Sequence, residues 1–331
     1  MIIMGLVEKI HHRVHSFYRQ QIVREQYPML TFLSRKEWQA KGAIGVVYML
    51  HHITKKNPNG IPTNEDLKVS PSFLDHIIQK YKKANYQFLS LDDLEVVIKS
   101  DKEPSRPFIV FTIDDGYADN FTQALPIFEK YEVPFSVFIA TDFINHNSIL
   151  WWDILEDLIL HNNNIHFGNK TYNCNSFQEK WDAFRIIRET ILKYDQNNLV
   201  NELQEAFSHY SIDWYAPVKE QALTWEQVKE LSNHPLCTIG GHTVSHPALN
   251  KLNDTDFYRE IAEGIAILKD KIGHDIYHFE YPYGSSSEIG EREYQLVKKF
   301  DFKTVFTSYG GCITTDNKSN TTHLPRVYLH E

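Results

Sequence analysis

The chain has 331 residues, of which 42% are hydrophobic and 13% aromatic, enough to form one large barrel or two modest domains. Its 34 basic and 43 acidic side chains give a net charge of −9, which argues against a general nucleic-acid binder and makes an anionic polymer a poor default substrate. The three cysteines, Cys174, Cys237 and Cys312, form no Cys-x-x-Cys pair, so neither a disulfide framework nor a thiolate zinc site is indicated.

Residues 1–40 contain basic side chains among apolar ones, which predicts a helical extension ahead of the first strand. This helix would pack on the main domain or, alternatively, make a peripheral contact with a membrane surface. The apolar start at residues 1–7 is too short for a signal sequence or a membrane span. Together with the odd number of cysteines, this predicts a cytoplasmic protein, in the cytosol or at the inner face of the membrane.

From residue 41 onward, short apolar runs alternate with helical patterns. The dipeptide Ser70-Pro71 and a capping box from Thr224 to Gln227 each predict a helix start, and apolar spacing predicts further helices near residues 257–268 and 294–300. Repeated strand-then-helix units predict a mainly parallel sheet, either an open doubly wound sheet or a barrel. The predicted strands are residues 44–50, 108–113, 135–140, 237–240, 276–281 and 304–306.

Residues 150–222 do not continue this alternation of strands and helices, because one helical pattern follows another and no strand pattern is convincing. We expect it to form a helical insertion within a main domain of residues 41–331. It contains four of the six tryptophans, Trp151, Trp152, Trp181 and Trp214.

Two polar clusters directly follow predicted strands. Asp114 and Asp115 end one apolar strand, where Asp-Gly is equally typical of a structural turn. His242 and His246 follow another strand, and histidines four residues apart can ligate one zinc ion. Since the carboxyl ends of parallel strands share one edge of a sheet, we expect all four side chains to lie together there.

Two more strand ends supply candidates at the same edge, because His51 follows the first predicted strand and residues 279–284 include the end of another. Two other histidine pairs have the four-residue spacing but lack this placement, namely His11 with His15 and His274 with His278. Each residue alone is more often a packed or surface side chain, but four strand ends that converge indicate a functional site.

The order of these motifs resembles the polysaccharide deacetylase (NodB-homology) family of carbohydrate esterases over most of residues 41–331. Residues 112–116 resemble its T-F-D-D-G motif, with Ile113 in place of Phe, and residues 242–247 meet its H-[ST]-x-x-H-P motif in full. The resemblance implies a distorted, incomplete (β/α) barrel of TIM-like type with about seven strands. The segments that resemble the branch tied to bacterial surface polysaccharides are residues 48–53, 151–153, 281–284 and 324–326.

The resemblance also implies roles for the two clusters. Asp115, His242 and His246 would be the ligands of a divalent metal, with zinc preferred, and would leave coordination positions open for water and substrate. Asp114 would be the general base that takes a proton from the attacking water.

Further roles follow from the same resemblance. The backbone N–H of Tyr283 would donate a hydrogen bond to the oxyanion of the tetrahedral intermediate. Either His330 or His51 would protonate the leaving amine. The candidates for substrate contact are His51, Tyr117, Trp151, Trp152 and Tyr281.

One departure from the wider family concerns the third motif, where Glu280 stands in the position of an arginine found in many members. A second carboxylate beside Asp114 would disfavour the ionised base, so we expect the Glu280 side chain to point away from the metal. Arg326 is the best candidate to supply the guanidinium from elsewhere in the chain, and a surface position for Arg326 is the alternative.

The predicted activity is therefore the metal-dependent removal of N-acetyl groups from amino-sugar residues of a polysaccharide or glycan precursor. An N-acetylated glycan is the predicted partner, and no nucleic acid is expected. Two alternatives stay open. One is a noncatalytic glycan-binding protein with the same fold, and the other is a metal-dependent hydrolase of a different C–N or ester bond.

Overall fold

The computed structural model describes residues 42–100 and 102–331. The predicted extension at residues 1–40, with its proposed membrane contact and the pair His11 and His15, lies outside the described residues. Within the described part of the chain, every helix is too short or too polar to span a bilayer.

Seven parallel strands close into a barrel. They follow one another around the ring in sequence order, and the last lies against the first, where Val327 is paired with Tyr48. This ring confirms the predicted (β/α) barrel with about seven strands and excludes the open doubly wound sheet. The strands are β1 (Ala43–Leu50), β2 (Phe108–Ile113), β3 (Phe135–Ile139), β4 (Cys237–Gly241), β5 (His278–Glu280), β6 (Thr304–Gly310) and β7 (Leu324–Tyr328).

Shorter strands lie outside this ring. Gln87–Phe88 pairs with β2, and Ile313–Thr314 runs antiparallel to β1. A separate two-stranded parallel pair joins His52–Ile53 to Lys68–Val69.

Helices connect the strands and pack on the barrel. The hydroxyl of Ser70 accepts a hydrogen bond from the Phe73 N–H at the start of one helix, and Thr224 forms a capping box with Gln227 at the start of another, which confirms both predicted helix starts. The α-helices of the described residues are α1 (Pro62–Glu65), α2 (Pro71–Lys83), α3 (Leu91–Lys99), α4 (Leu125–Tyr131), α5 (Thr141–Ile144), α6 (Trp151–His161), α7 (Phe177–Ile191), α8 (Leu199–Ala206), α9 (Ala216–Gln221), α10 (Trp225–Asn233), α11 (Asp254–Ile272) and α12 (Glu291–Val297).

Residues 150–222 connect β3 to β4 and contain α6 to α9. They also contain a β-hairpin, Asn164–Phe167 with Lys170–Asn173, so the expectation of a segment without strands was wrong. Each strand has only four residues, and the second is largely exposed, so neither forms a recognisable apolar run. The segment has its own cluster of buried side chains, including Trp181, Phe184 and Leu203.

The strand predictions missed β7, which closes the ring. Pro325 lies inside this strand, and proline lacks the N–H that a sheet needs, so the sequence reads as a loop. The largest differences from the predicted bounds of the other strands are at β5, which is shorter, and at β6, which extends to Gly310.

Candidate active site

A cleft of about 240 Å³ lies at the carboxyl ends of the barrel strands. The segments that follow β1, β2 and β4 and the end of β5 each contribute to its lining, so the structure brings together the strand ends that the sequence placed at one edge. The predicted residues on its surface are His51, Asp114, Asp115, Trp151, Trp152, His242, His246, Tyr283 and His330.

Three of these side chains form a compact donor set. The Oδ1 atom of Asp115 lies 3.2 Å from His242 Nε2 and 3.4 Å from His246 Nε2, and one donor atom from each residue lies within 4.8 Å of the others. Asp115 Oδ1 is buried, and these two imidazole nitrogens are the polar groups that it faces. A buried acceptor that faces two imidazole nitrogens fits a divalent metal, and this is the one such group among residues 42–100 and 102–331.

The protonation of the two histidines differs. Burial lowers the pKa of His246 to about 3, so its imidazole is neutral, as a metal ligand must be. Burial also acts to lower the pKa of His242, but the carboxylates of Glu280 and Asp115 outweigh it and raise that pKa to about 10. Without an ion, His242 therefore holds a proton that a metal would displace.

The backbone around these ligands adopts unusual conformations. Asp115 has φ 77° and His246 has φ 60°, in the left-handed region that non-glycine residues rarely occupy. The loop between the histidines is held by the Glu260 carboxylate of α11, which accepts hydrogen bonds from the N–H groups of Val244, at 3.1 Å, and Ser245, at 2.9 Å. These hydrogen bonds hold the loop between the two histidines in this conformation.

Asp114 faces a different partner from Asp115. Both of its carboxylate oxygens accept hydrogen bonds from the Arg326 guanidinium, each at 2.8 Å. The same guanidinium donates to the Thr112 hydroxyl and to the Thr307 carbonyl, both at 2.9 Å. Arg326 is 1% exposed, so the alternative of a surface arginine is wrong, and the side chain fixes the orientation of Asp114 through two parallel bonds.

Glu280 is not one of the three donor residues, but it is not turned out of the site either. Its Oε2 lies 2.8 Å from His242 Nδ1, and its Oε1 lies 2.6 Å from an Arg326 nitrogen. The expected repulsion between carboxylates is offset because the guanidinium lies between Glu280 and Asp114. The Glu280 carboxylate and the Glu280 backbone carbonyl, the latter at 3.0 Å, both face His242 Nδ1. Nδ1 is therefore the nitrogen that donates to Glu280, and Nε2 is directed at Asp115.

The two candidate acids lie near each other. The rings of His51 and Tyr328 are stacked with centroids 6.1 Å apart, and the rings of Tyr328 and His330 are stacked at 5.7 Å. His51 Nε2 is 3.8 Å from an oxygen of Asp114, and burial lowers the pKa of His51.

Two predicted substrate contacts are not on the cleft surface. Tyr117 is buried with its ring centroid 3.6 Å from that of His52, and Tyr281 donates its hydroxyl to the Thr322 carbonyl at 3.0 Å. Side chains alternate along a strand, so with Glu280 directed into the barrel, Tyr281 is directed outward and packs on α12. Neither side chain lines the cleft, so the structure gives no support to substrate contact by these two tyrosines.

The sequence interpretation missed other residues of the site. Trp181 and Arg188 of α7 line the cleft, and their seven-residue spacing, two helical turns, is a signal that could have placed them on one face. No local pattern marks Glu260, because it reaches the histidine loop from a separate helix.

The comparisons with known proteins agree with this geometry. A family model described as "Polysaccharide deacetylase" matches residues 101–305. Among curated proteins, "Putative polysaccharide deacetylase YxkH" of Bacillus subtilis (strain 168) is 28% identical over 116 residues. That match spans 35% of this chain and 38% of the relative.

Solved structures share the fold. The deacetylase PplD of Streptococcus pyogenes, in complex with acetate, aligns with a TM-score of 0.57 at 18% identity over 86% of this chain and 92% of its own. IcaB from Ammonifex degensii aligns with a TM-score of 0.55 at 16% identity, over 87% and 92% of the two chains. At these identities the likeness concerns the fold. The family model, however, covers more than half of the chain and includes both the aspartate pair and the histidine pair, so the chain belongs to the polysaccharide deacetylase family.

Proposed function

We propose that this protein is a metal-dependent deacetylase that hydrolyses N-acetyl groups on amino-sugar residues of a polysaccharide or glycan precursor. The main support is the contrast between two adjacent carboxylates. Asp115 faces His242 and His246, whereas Asp114 is bound to Arg326 and stands beside the donor set without belonging to it. One carboxylate is thus placed to hold an ion and the other to accept a proton.

An amide is a reluctant electrophile, so its hydrolysis needs an activated water and a site for the developing negative charge. A divalent ion held by Asp115, His242 and His246, with zinc suited to this donor set, would supply Lewis-acid chemistry by lowering the pKa of water and polarising the acetyl carbonyl. Asp114 takes the proton of the attacking water, and its orientation is fixed beforehand by Arg326.

Two further groups complete the reaction. The N–H of Tyr283 makes no hydrogen bond within the described residues, and Tyr283 lines the cleft with its ring 4.8 Å from that of His246, so this N–H can donate to the oxyanion. His51 or His330 gives the leaving amine its proton, because both imidazoles line the same cleft.

Acetate release by the purified protein tests this proposal. We expect release from N-acetylated glycans, loss of that release after metal removal, and recovery when zinc is added back. The Asp114→Asn variant should lose most of this activity, while Asp301→Asn, at an exposed aspartate, should be as active as the unmodified protein.

The same assay separates the alternatives. Release from simple acetyl esters but not from N-acetylated glycans would identify an ester hydrolase. Glycan binding without release of acetate from any substrate would identify a noncatalytic binding protein. Either result would refute the proposed N-deacetylase activity.

A further inference from the structure

One wall of the cleft comes from the segment inserted between β3 and β4. Helix α7 contributes Trp181 and Arg188, which are two helical turns apart and so lie on one face. Trp181 is 7% exposed, and Arg188 is half-buried. The insertion therefore presents an aromatic ring and a permanent positive charge to whatever occupies the cleft.

Arg188 differs from every other arginine of the described residues. The other five each have a hydrogen-bond or ion-pair partner, and they are Arg106, Arg185, Arg259, Arg292 and Arg326. Among residues 42–100 and 102–331, Arg188 has neither kind of partner, and no carboxylate oxygen lies within 4.0 Å of its guanidinium. The Glu288 carboxylate lines the same cleft but accepts a hydrogen bond from the Ser285 hydroxyl.

The cleft that Arg188 lines is the one that contains the histidine ligands His242 and His246. Arg188 and Tyr283 line this cleft together. The Tyr283 ring contacts His246 in turn. A partly desolvated cation with no partner is unfavourable unless a ligand supplies the anion.

We propose that Arg188 binds an oxyanion of the substrate, a carboxylate or a phosphate ester on the sugar that bears the N-acetyl group or on its neighbour. A planar guanidinium matches both groups through two parallel hydrogen bonds. This inference rests on the proposed function and specifies its substrate class. The net charge of −9 opposes a polyanion, so a substrate with one or a few such groups is favoured over a uniformly anionic polymer.

The test compares sugars that differ in charge. The neutral probe is the methyl glycoside of N-acetylglucosamine, and the anionic probes are N-acetylglucosamine 1-phosphate and N-acetylmuramic acid. Dissociation constants are measured by calorimetry on the zinc-loaded Asp114→Asn protein, in which turnover is slow, with and without Arg188→Met. The matched control is Arg185→Met, on the same helix but paired with Glu189 and 52% exposed.

We expect at least one anionic probe to bind about tenfold or more tightly than the neutral one, because charge-assisted hydrogen bonds are among the strongest in proteins. Arg188→Met should abolish this preference, and Arg185→Met should keep it. The anionic probe that binds more tightly shows whether Arg188 recognises a carboxylate or a phosphate. Equal binding of all probes, no binding of any, or a preference that survives Arg188→Met would overturn the inference. Failure of the proposed function would appear separately, as absence of acetate release by the unmodified protein.

Discussion

Glu280→Gln gives the sharpest test of how the site is organised. The substitution preserves the shape of the side chain but replaces one acceptor oxygen by an NH₂ group. Arg326 only donates, so the amide oxygen must face its guanidinium, which lies 2.6 Å from Oε1 in the native site. The NH₂ group then faces His242 Nδ1 and, as a donor, cannot accept a hydrogen bond from it. His242 then loses its carboxylate partner, and only the backbone carbonyl of residue 280, at 3.0 Å, remains to orient its ring.

We expect zinc affinity to fall by about 10- to 100-fold, the usual effect of removing a group that orients a metal-binding histidine. The dissociation constant is measured by competition with a chromogenic chelator, and far-UV circular dichroism checks that the variant is folded. Glu263→Gln, at an exposed position of α11, is the control. If Glu280→Gln bound zinc as tightly as Glu263→Gln, Glu280 would not orient His242, and the role given to its two ion pairs would be wrong.

Four further predictions concern the same site. His242→Ala and His246→Ala should each contain less bound metal in elemental analysis. Full metal content in both variants would rule out the proposed metal site. Asp114→Asn should keep its metal and lose turnover by about 10²- to 10⁴-fold. Loss of metal from this variant would instead mean that Asp114 is the ligand and Asp115 the base. Arg326→Met should reduce the acetate-release rate by about tenfold or more at unchanged metal content, and an unaltered rate would mean that Asp114 is oriented by another group. Metal affinity should fall as the pH is lowered, because the pKa of His242 is raised to about 10 in the metal-free site and binding must displace that proton. Calorimetry in buffers of different ionisation enthalpy should detect release of about one proton per ion, and no release would contradict this.

The fold and the position of the donor set could be predicted because both depend on local patterns. Apolar runs gave six of the seven ring strands, and the polar residues that directly follow parallel strands necessarily meet at one edge. The seventh strand could not be recognised because Pro325 gives it the pattern of a loop. The cytoplasmic or membrane-face location stays a prediction, which fractionation of cells that express the full chain would test.

The environment of Glu280 could not be predicted because it depends on contacts distant in sequence. Repulsion between like charges alone predicted that this side chain would point away from the site. It lies in the site because Arg326, on the unrecognised strand β7, contacts both Glu280 and Asp114. A buried carboxylate beside another is acceptable when one guanidinium contacts both, and no sequence pattern of either segment contains that information.

The Asp-Asp-Gly sequence after β2 combines the two interpretations that the sequence left open, a structural turn and a chemical motif. In a continuing strand, Asp114 and Asp115 would point to opposite faces, so only one could enter the cleft. Here the chain turns at Asp115, with φ 77°, and the Gly116 N–H donates to the Asp114 carbonyl at 3.0 Å. Gly116 has φ 102°, and a Cβ there would lie 3.0 Å from the Ile139 side chain, so no other residue fits without strain. Both carboxylates therefore reach the cleft, one bound to Arg326 and one facing the histidines, because a glycine permits the turn that brings them there.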